Sequence, residues 1–368
     1  MQVRGCDSMQ HIVDRLSGLS IRDIFTHIRR RPSFMGFVLF LTALVLNIAL
    51  QGPGSFFSVR SFNNLCVTNV PFLLVVLAQG VLLMSGTLDI SIGVQLALVN
   101  VVTIMTTQEW GIPFVLGCVI GIIAAMVASV ILWVMVSIFR LPDLLASFAL
   151  MYAIRGASIL IMPHPMGSVD RIFFRAYNQP IGGIFPGALV ALVLVLLVWL
   201  YLRRTSFGTN IYAVGANPQS AFAAGISPIK VQFQAFMYKG FVTGIAGVCI
   251  TLMTASGDPR IAEPWGLRTL AACIVGGLTF GGWGSLACAF FGGGFLILIQ
   301  SSVYFLFNLM ARVLPNLWIT TYWHNFVADS IIFLGLLTTI ITVKGQRETL
   351  RLNIEKKYMV KRRVTDAD

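Results

Sequence analysis

Apolar runs that approach or exceed the ~18 to 20 residues needed to cross a bilayer recur along this chain, and they restrict it to one class of fold. Hydrophobic residues make up 57% of the 368 and charged residues 11%, well under the roughly 25% of an average soluble domain. An all-α polytopic membrane protein follows. The net charge of +12 raises nucleic acid as a partner. The cations, however, collect at the ends of apolar segments and at the termini, the positive-inside distribution of a membrane protein. Membrane lipid, and no nucleic acid, is therefore the expected surrounding. Cys66, Cys118, Cys249, Cys273 and Cys288 lie in apolar runs and no pair has metal-ligand spacing. They read as small core residues, with no disulfide framework and no metal site.

Taken in order, residues 1–33 form a cytoplasmic N-terminal segment ending at Arg29, Arg30, Arg31 and Pro32. Its alternation of apolar and basic residues fits a helix on the membrane face or a disordered tail. No small-residue cleavage site follows a short apolar core, so no removable signal peptide is read. Residues 34–343 make the transmembrane domain, with about ten crossings. The first covers 33–50, and a turn-rich external loop follows at 51–64. Further spans cover 65–85, 92–107, 113–139 and 144–162. A long turn-rich loop at 163–183 carries Asp170, Arg171 and Arg175. A sixth span ends at Arg203 and a seventh covers 231–255, where Gly240, Gly244, Ala246 and Gly247 allow close helix approach. An outer loop, SGDPRIAEPWG, comes next. The apolar stretch TLAACIVGG is too short to cross alone and is broken by GLTFGGWG, the pattern of a re-entrant segment lining a cavity. Spans over 286–310 and 325–343 and a basic cytoplasmic tail at 344–368 complete the chain.

Polar residues inside the runs are the candidate path or gate. Asp89 sits between two apolar segments, flanked by Gly86 and Gly93. An acid at that depth needs protein, water or a helix end beside it. Asp89 and Ser91 are also good N-cap types for the next helix. Gln95 and Asn100 either line a polar passage or bond a neighbouring helix. Arg155 inside the fifth span is a functional candidate or pairs with an acid or with carbonyls. The spacing of Gly86 to Gly93 equals that of Gly277 to Gly284, which hints at an internal repeat.

The polar island 203–230 is the other candidate site. Arg203 and Arg204 mark one edge and Lys230 the other. Asn217 suits an N-cap, Pro218 the first helical position and Gly225 the C-terminal stop. A helix this short needs a surface to lie against. Its alanines, including Ala224, and its single Phe222 read as a knob for a partner's groove, or as an ordinary loop with a short helix.

Four stretches in order resemble the membrane permease of bacterial ABC importers for ribose, xylose, arabinose, galactose and related sugars, over about 65–343. SGTLDISIGVQLAL is similar to the family's Gly-Gly-Ile-Asp-Leu-Ser-Val-Gly pattern through Ser85, Gly86, Asp89, Ser91 and Gly93. LPDLLASFALMYAIRG resembles its Pro-containing fifth helix, ending in Arg155 and Gly156. FGTNIYAVGANPQSAFAAGI resembles its cytoplasmic loop through Phe207, Gly208, Tyr212, Gly215, Asn217, Ala224 and Gly225, and AACIVGGLTFGGWGS its Gly-rich stretch. The resemblance implies a coupling helix in the island, involving Gly215, Asn217, Pro218, Phe222, Ala224 and Gly225. It also implies a separate ABC ATPase subunit holding ATP and Mg, a periplasmic substrate-binding protein, and a dimer with a second or related permease. The implied place is the inner membrane, with both termini cytoplasmic. The chain has no Walker-A sequence, so ATP-driven work has to arrive by contact, with no cofactor bound here. One departure stands out. Where the family often has Tyr-Glu-Leu-Asp, this chain has Trp265, Gly266, Leu267 and Arg268, which makes Trp265 and Arg268 candidates for shaping an unusual path. The rivals are an ion-gradient secondary transporter and an intramembrane enzyme. For the latter there is no H-E-x-x-H or G-x-S-x-G signature, and His11, His27, His164 and His324 are dispersed.

Overall fold

The computed structural model describes residues 32–279, 283–313 and 321–342. The expectations for the N-terminal segment, for the basic tail and for Phe280, Gly281 and Gly282 lie outside the described residues. The chain is a helical bundle. Its main helices are α1 (Ser33–Gln51), α2 (Val59–Met84), α3 (Ile92–Gln108) and α4 (Phe114–Trp133), the last continued by a π turn over Val134–Ile138. Then come α5 (Asp143–Ile161), α6 (Arg171–Asn178), α7 (Leu189–Arg203), α8 (Ser206–Ala216), α9 (Pro218–Ala223) and α10 (Pro228–Thr254). The last are α11 (Trp265–Val275), α12 (Leu286–Val313) and α13 (Thr321–Thr342). Among the described residues, six helices are long and apolar enough to cross a membrane. A seventh span is reached by joining α7 to α8 across an 80° bend.

α2, α10 and α12 form the buried middle, whereas α1, α4 and α5 leave most of their apolar surface uncovered. α10 packs on α4, α2 and α3, and α12 packs on α1 and α2. The small residues of α10 do what their size allows. A Cβ on Gly240 would lie 2.7 Å from Ser129 Oγ, and one on Gly244 would lie 2.8 Å from Ile122 Cα. Backbone thus lies on backbone, with no room for a side chain between.

Three loops differ from their sequence reading. Residues 59–64 belong to α2, because Ser58 caps it by accepting from the Ser61 N–H at 3.2 Å. The 163–183 loop contains α6 and leads into a small hairpin, β1 (Pro180–Ile181) with β2 (Phe185–Pro186), turned through Gly182 and Gly183 at positive φ. The segment after α10 is not a free outer loop. It runs back along α3: the Asn100 carboxamide donates to Ser256 O at 3.0 Å and accepts from the Asp258 N–H at 2.6 Å. Further on, Gly93 abuts Ala262 O and Gly266 abuts Ile90 O. From Asn100 to the start of α3 at Ile92 that is roughly 12 Å of helix. α11 therefore starts deep beside the N-terminus of α3 rather than at the outer rim. The proposed repeat holds for its first members only. Gly86 and Gly277 both have positive φ, whereas Gly93 lies inside α3.

Candidate functional site

The 203–230 island holds the short helix that Asn217, Pro218 and Gly225 predict, preceded by α8, which the sequence reading did not foresee. The Asn217 side chain accepts from the N–H groups of Gln219 (2.9 Å) and Ser220 (3.1 Å), and Pro218 takes the first helical position. Gly225, at φ +83°, closes α9, with Ile226 N–H bonded to Ala221 O at 3.0 Å. That 6→1 bond is the Schellman stop, which needs a residue at ease with positive φ. Ala221 faces inward and Phe222 outward, 71% exposed. Ala224 is exposed as well. Gly215 differs from its neighbours in the island. It is buried, and the nearest atom to a Cβ built on Gly86 is Gly215 Cα at 3.5 Å. It therefore serves the joint between island and bundle, not the exposed face.

The second site is the break between α2 and α3. α2 ends in a Schellman stop at Gly86 (φ +83°), with Thr87 N–H bonded to Leu82 O at 3.2 Å. Beyond it Asp89 is fully buried. One carboxylate oxygen accepts from the Ser91 N–H at 2.7 Å and Ser91 Oγ at 2.6 Å. The other accepts from Gln95 Nε2 at 3.0 Å and forms an ion pair with Lys239 of α10. Lys239, itself fully buried, also donates to Gln95 Oε1 at 2.5 Å and Ser129 Oγ at 3.1 Å. With its amide oriented to satisfy both groups, Gln79 holds the Asp89 backbone, N to O at 3.1 Å and O to N at 3.3 Å. The capping reading of Asp89 and Ser91 does not hold: the N-cap of α3 is Ser91, and no side chain caps the helix. The Asp89 carboxylate instead closes the turn before the helix through the Ser91 N–H, and it is the counter-ion of a lysine 150 positions away. Lys239 escaped the sequence reading. Its signal was a lone cation within the long apolar run of α10, to be matched with a lone acid in another.

The third site is a cavity of about 400 Å³ between α5 and the start of α11, lined by Ile90, Phe148, Tyr152, Arg155, Arg260 and Glu263 among others. Arg155 pairs with Glu263 at 2.6 Å, each side chain about one-third exposed. The acid that Arg155 needed is therefore on the segment read as an outer loop. Trp265 and Arg268 do not join this cavity. Trp265 lies edge-on to Phe72 of α2, with ring centroids 5.3 Å apart, and Arg268 reaches Asp329 of α13 at 3.2 Å. Gly266 and Leu267, between them, face the cavity instead. Ser91 and Gln95 are sealed in the Asp89 network. Asn100 bonds Thr251 Oγ1 at 2.9 Å and the returning segment, so it ties α3 to α10.

A bundle with six helices long and apolar enough to cross a membrane among the described residues defines a multi-pass membrane protein, and the open cavity beside α5 gives it a mixed polar and apolar recess. The chain belongs to the family described as branched-chain amino acid transport system / permease component, whose model matches residues 61–339. At 25% identity it is similar to the L-arabinose ABC transporter permease protein AraH of Azospirillum brasilense, over 82% of this chain and 86% of that protein. It is 25% identical to the autoinducer 2 import system permease protein LsrC of Yersinia pseudotuberculosis, over 81% of this chain and 82% of LsrC. It is 24% identical to the fructose import permease protein FrcC of Rhizobium meliloti, over 68% and 74% respectively. No solved structure matches the chain. The resemblance read from four sequence motifs and these relatives agree that this is a permease of the ABC type.

Proposed function

We propose that the chain is the membrane subunit of an ATP-driven importer for a small sugar or sugar-like solute. It works as a dimer, with a second copy or a related permease, in the bacterial inner membrane. Both termini are cytoplasmic, with about ten crossings between them. A separate ATPase holds ATP and Mg and receives α9 in a cleft, and a periplasmic binding protein delivers the solute from the other side. The observation that carries this reading is α9 itself. It is too short to be stable alone in water, is capped at both ends, and presents Phe222 outward. The cavity supports the substrate class: Arg155, Arg260, Glu263 and Tyr152 offer partners for hydroxyls, and Phe148 and Tyr152 offer ring faces.

In this mechanism closure of the ATPases pushes α9, α10 tilts with it, and the path changes from inward- to outward-open. The push is effective only because α9 is held differently in the two states of the ATPase. Gly225→Pro tests it. Proline is fixed near a φ of about −65° and cannot adopt the +83° of Gly225. ATP hydrolysis then continues while uptake stops. Normal uptake by this variant overturns the coupling role.

One observation favours a second reading. The buried Asp89–Lys239 pair is the kind of ionisable group that an ion-coupled carrier uses. Uptake that survives loss of the ATPase but collapses with the ion gradient selects that reading.

A further inference from the structure

The turn between α2 and α3 is one residue wide at each of its contacts. Gly86 lies against Gly215, at the end of α8 and next to the island helix. Leu88 donates its N–H to Asp143 Oδ2 at 3.1 Å, at the first turn of α5. Asp89 is held by Lys239 of α10, and Ile90 abuts Gly266 of α11 and lines the cavity. Within five residues the turn therefore touches the island, the helix that follows the island, and both walls of the cavity. We infer that this turn is the link that carries motion from α9 to the cavity, and that Lys239 is the positioning residue that fixes it to α10. The inference rests on the reading of α9 as the coupling helix.

The lever is short. α10 begins five positions after α9 ends, and Lys239 lies three turns into it, about 17 Å along its axis. A tilt of α10 displaces the ammonium, and the ammonium takes Asp89 with it. The neighbouring residue, Ile90, is cavity wall. The pair is built to transmit rather than merely to fill space. All three Lys239 donors are used, on Asp89, Gln95 and Ser129, and the Asp89 carboxylate has four partners. A buried ion pair can be replaced by apolar residues of similar volume at little or no cost in stability, whereas loss of one member leaves a stranded charge. Stability alone therefore does not account for a lysine here. What an apolar contact lacks is direction: it slides where the ion pair holds register.

That difference supplies the test. The complete complex of permease, ATPase and binding protein is reconstituted in liposomes, and solute imported per ATP hydrolysed is measured for wild type, Lys239→Met and the apolar double variant Asp89→Leu/Lys239→Met. The expected result is that the double variant, free of the stranded carboxylate, recovers part of the thermal stability lost in Lys239→Met while the donors of Ser91 and Gln95 lose their acceptor, yet imports at least about fivefold less solute per ATP than wild type. A double variant that couples as well as wild type overturns the inference. So does one that does not fold, because the pair is then needed for the fold and not for transmission. Failure of the underlying reading looks different: Gly225→Pro in α9 would import as much solute per ATP as wild type, or wild-type uptake would be indifferent to ATP hydrolysis.

Discussion

Replacing Phe222 by alanine separates what the island does for the fold from what it does for a partner. The ring is 71% exposed in the free chain, so its removal takes little apolar surface from the interior. Full burial of a Phe is worth about 1.5–3 kcal/mol. If the partner's cleft covers the exposed share, about 1–2 kcal/mol of docking free energy is lost, a 5- to 30-fold weaker association with the ATPase. Two assays on the same preparation check this. Thermal unfolding of the purified permease in detergent is expected to be unchanged. Titration of the ATPase against permease in nanodiscs is expected to show the weaker binding, and ATP-driven uptake falls accordingly. A large drop in unfolding temperature would show that Phe222 is a core residue. Unchanged binding with unchanged uptake would show that the knob meets nothing, and the coupling argument would then be wrong.

Three further outcomes follow from the geometry. Asn217→Ala removes the acceptor for two N–H groups of α9, a loss of about 0.5–2 kcal/mol. Hydrogen exchange over 218–223 should quicken and uptake fall, with global unfolding unmoved. Gly240→Leu forces a side chain into Ser129 and the Met126 backbone, 2.7 and 2.9 Å from its Cβ. Overpacking of that kind costs about 1–3 kcal/mol, and should appear as a lower unfolding temperature and poorer membrane yield. Glu263→Gln breaks a pair that is one-third exposed, so stability should change by no more than about 1 kcal/mol. Uptake should nonetheless shift in KM, because Arg155 is left free in the cavity; an unchanged KM would remove the pair from the solute's path.

What could be read in the sequence was what the chain encodes locally. Asn217, Pro218 and Gly225 announce a helix start and stop within nine positions, and α9 forms there. The apolar runs announce the bundle, and the glycines of α10 its close contacts. What could not be read is held together by partners far apart in the chain. Asp89 reads as a helix cap, yet α3 starts at Ser91 without a side-chain cap, and the carboxylate's counter-ion lies on α10, in a run whose hydrophobic neighbours conceal a lysine. Arg155 asked for an acid and found Glu263 on a segment whose Pro and Gly content reads as external loop. That segment turns inward because the buried Asn100 carboxamide, midway along α3, takes up its backbone groups. Trp265 and Arg268 were singled out by departure from a motif. Such a departure marks a position without saying which way its side chain points, and here the two point to α2 and α13.

The 80° bend after α7 has a consequence for the surrounding lipid. Fifteen residues of α7 reach about 22 Å, short of a hydrocarbon layer about 30 Å thick, while the 25 residues from Phe114 to Ile138, α4 with its π turn, which leave most of their apolar surface uncovered, reach about 37 Å. The acyl chains therefore meet a low wall on one flank of the molecule and a high one on another. Squeezing or stretching them has an elastic cost, a fraction of a kcal/mol for each ångström of mismatch, and the squeezed flank lies next to the island. A cell that changes the length or saturation of its fatty acids thus retunes this carrier without altering a single residue.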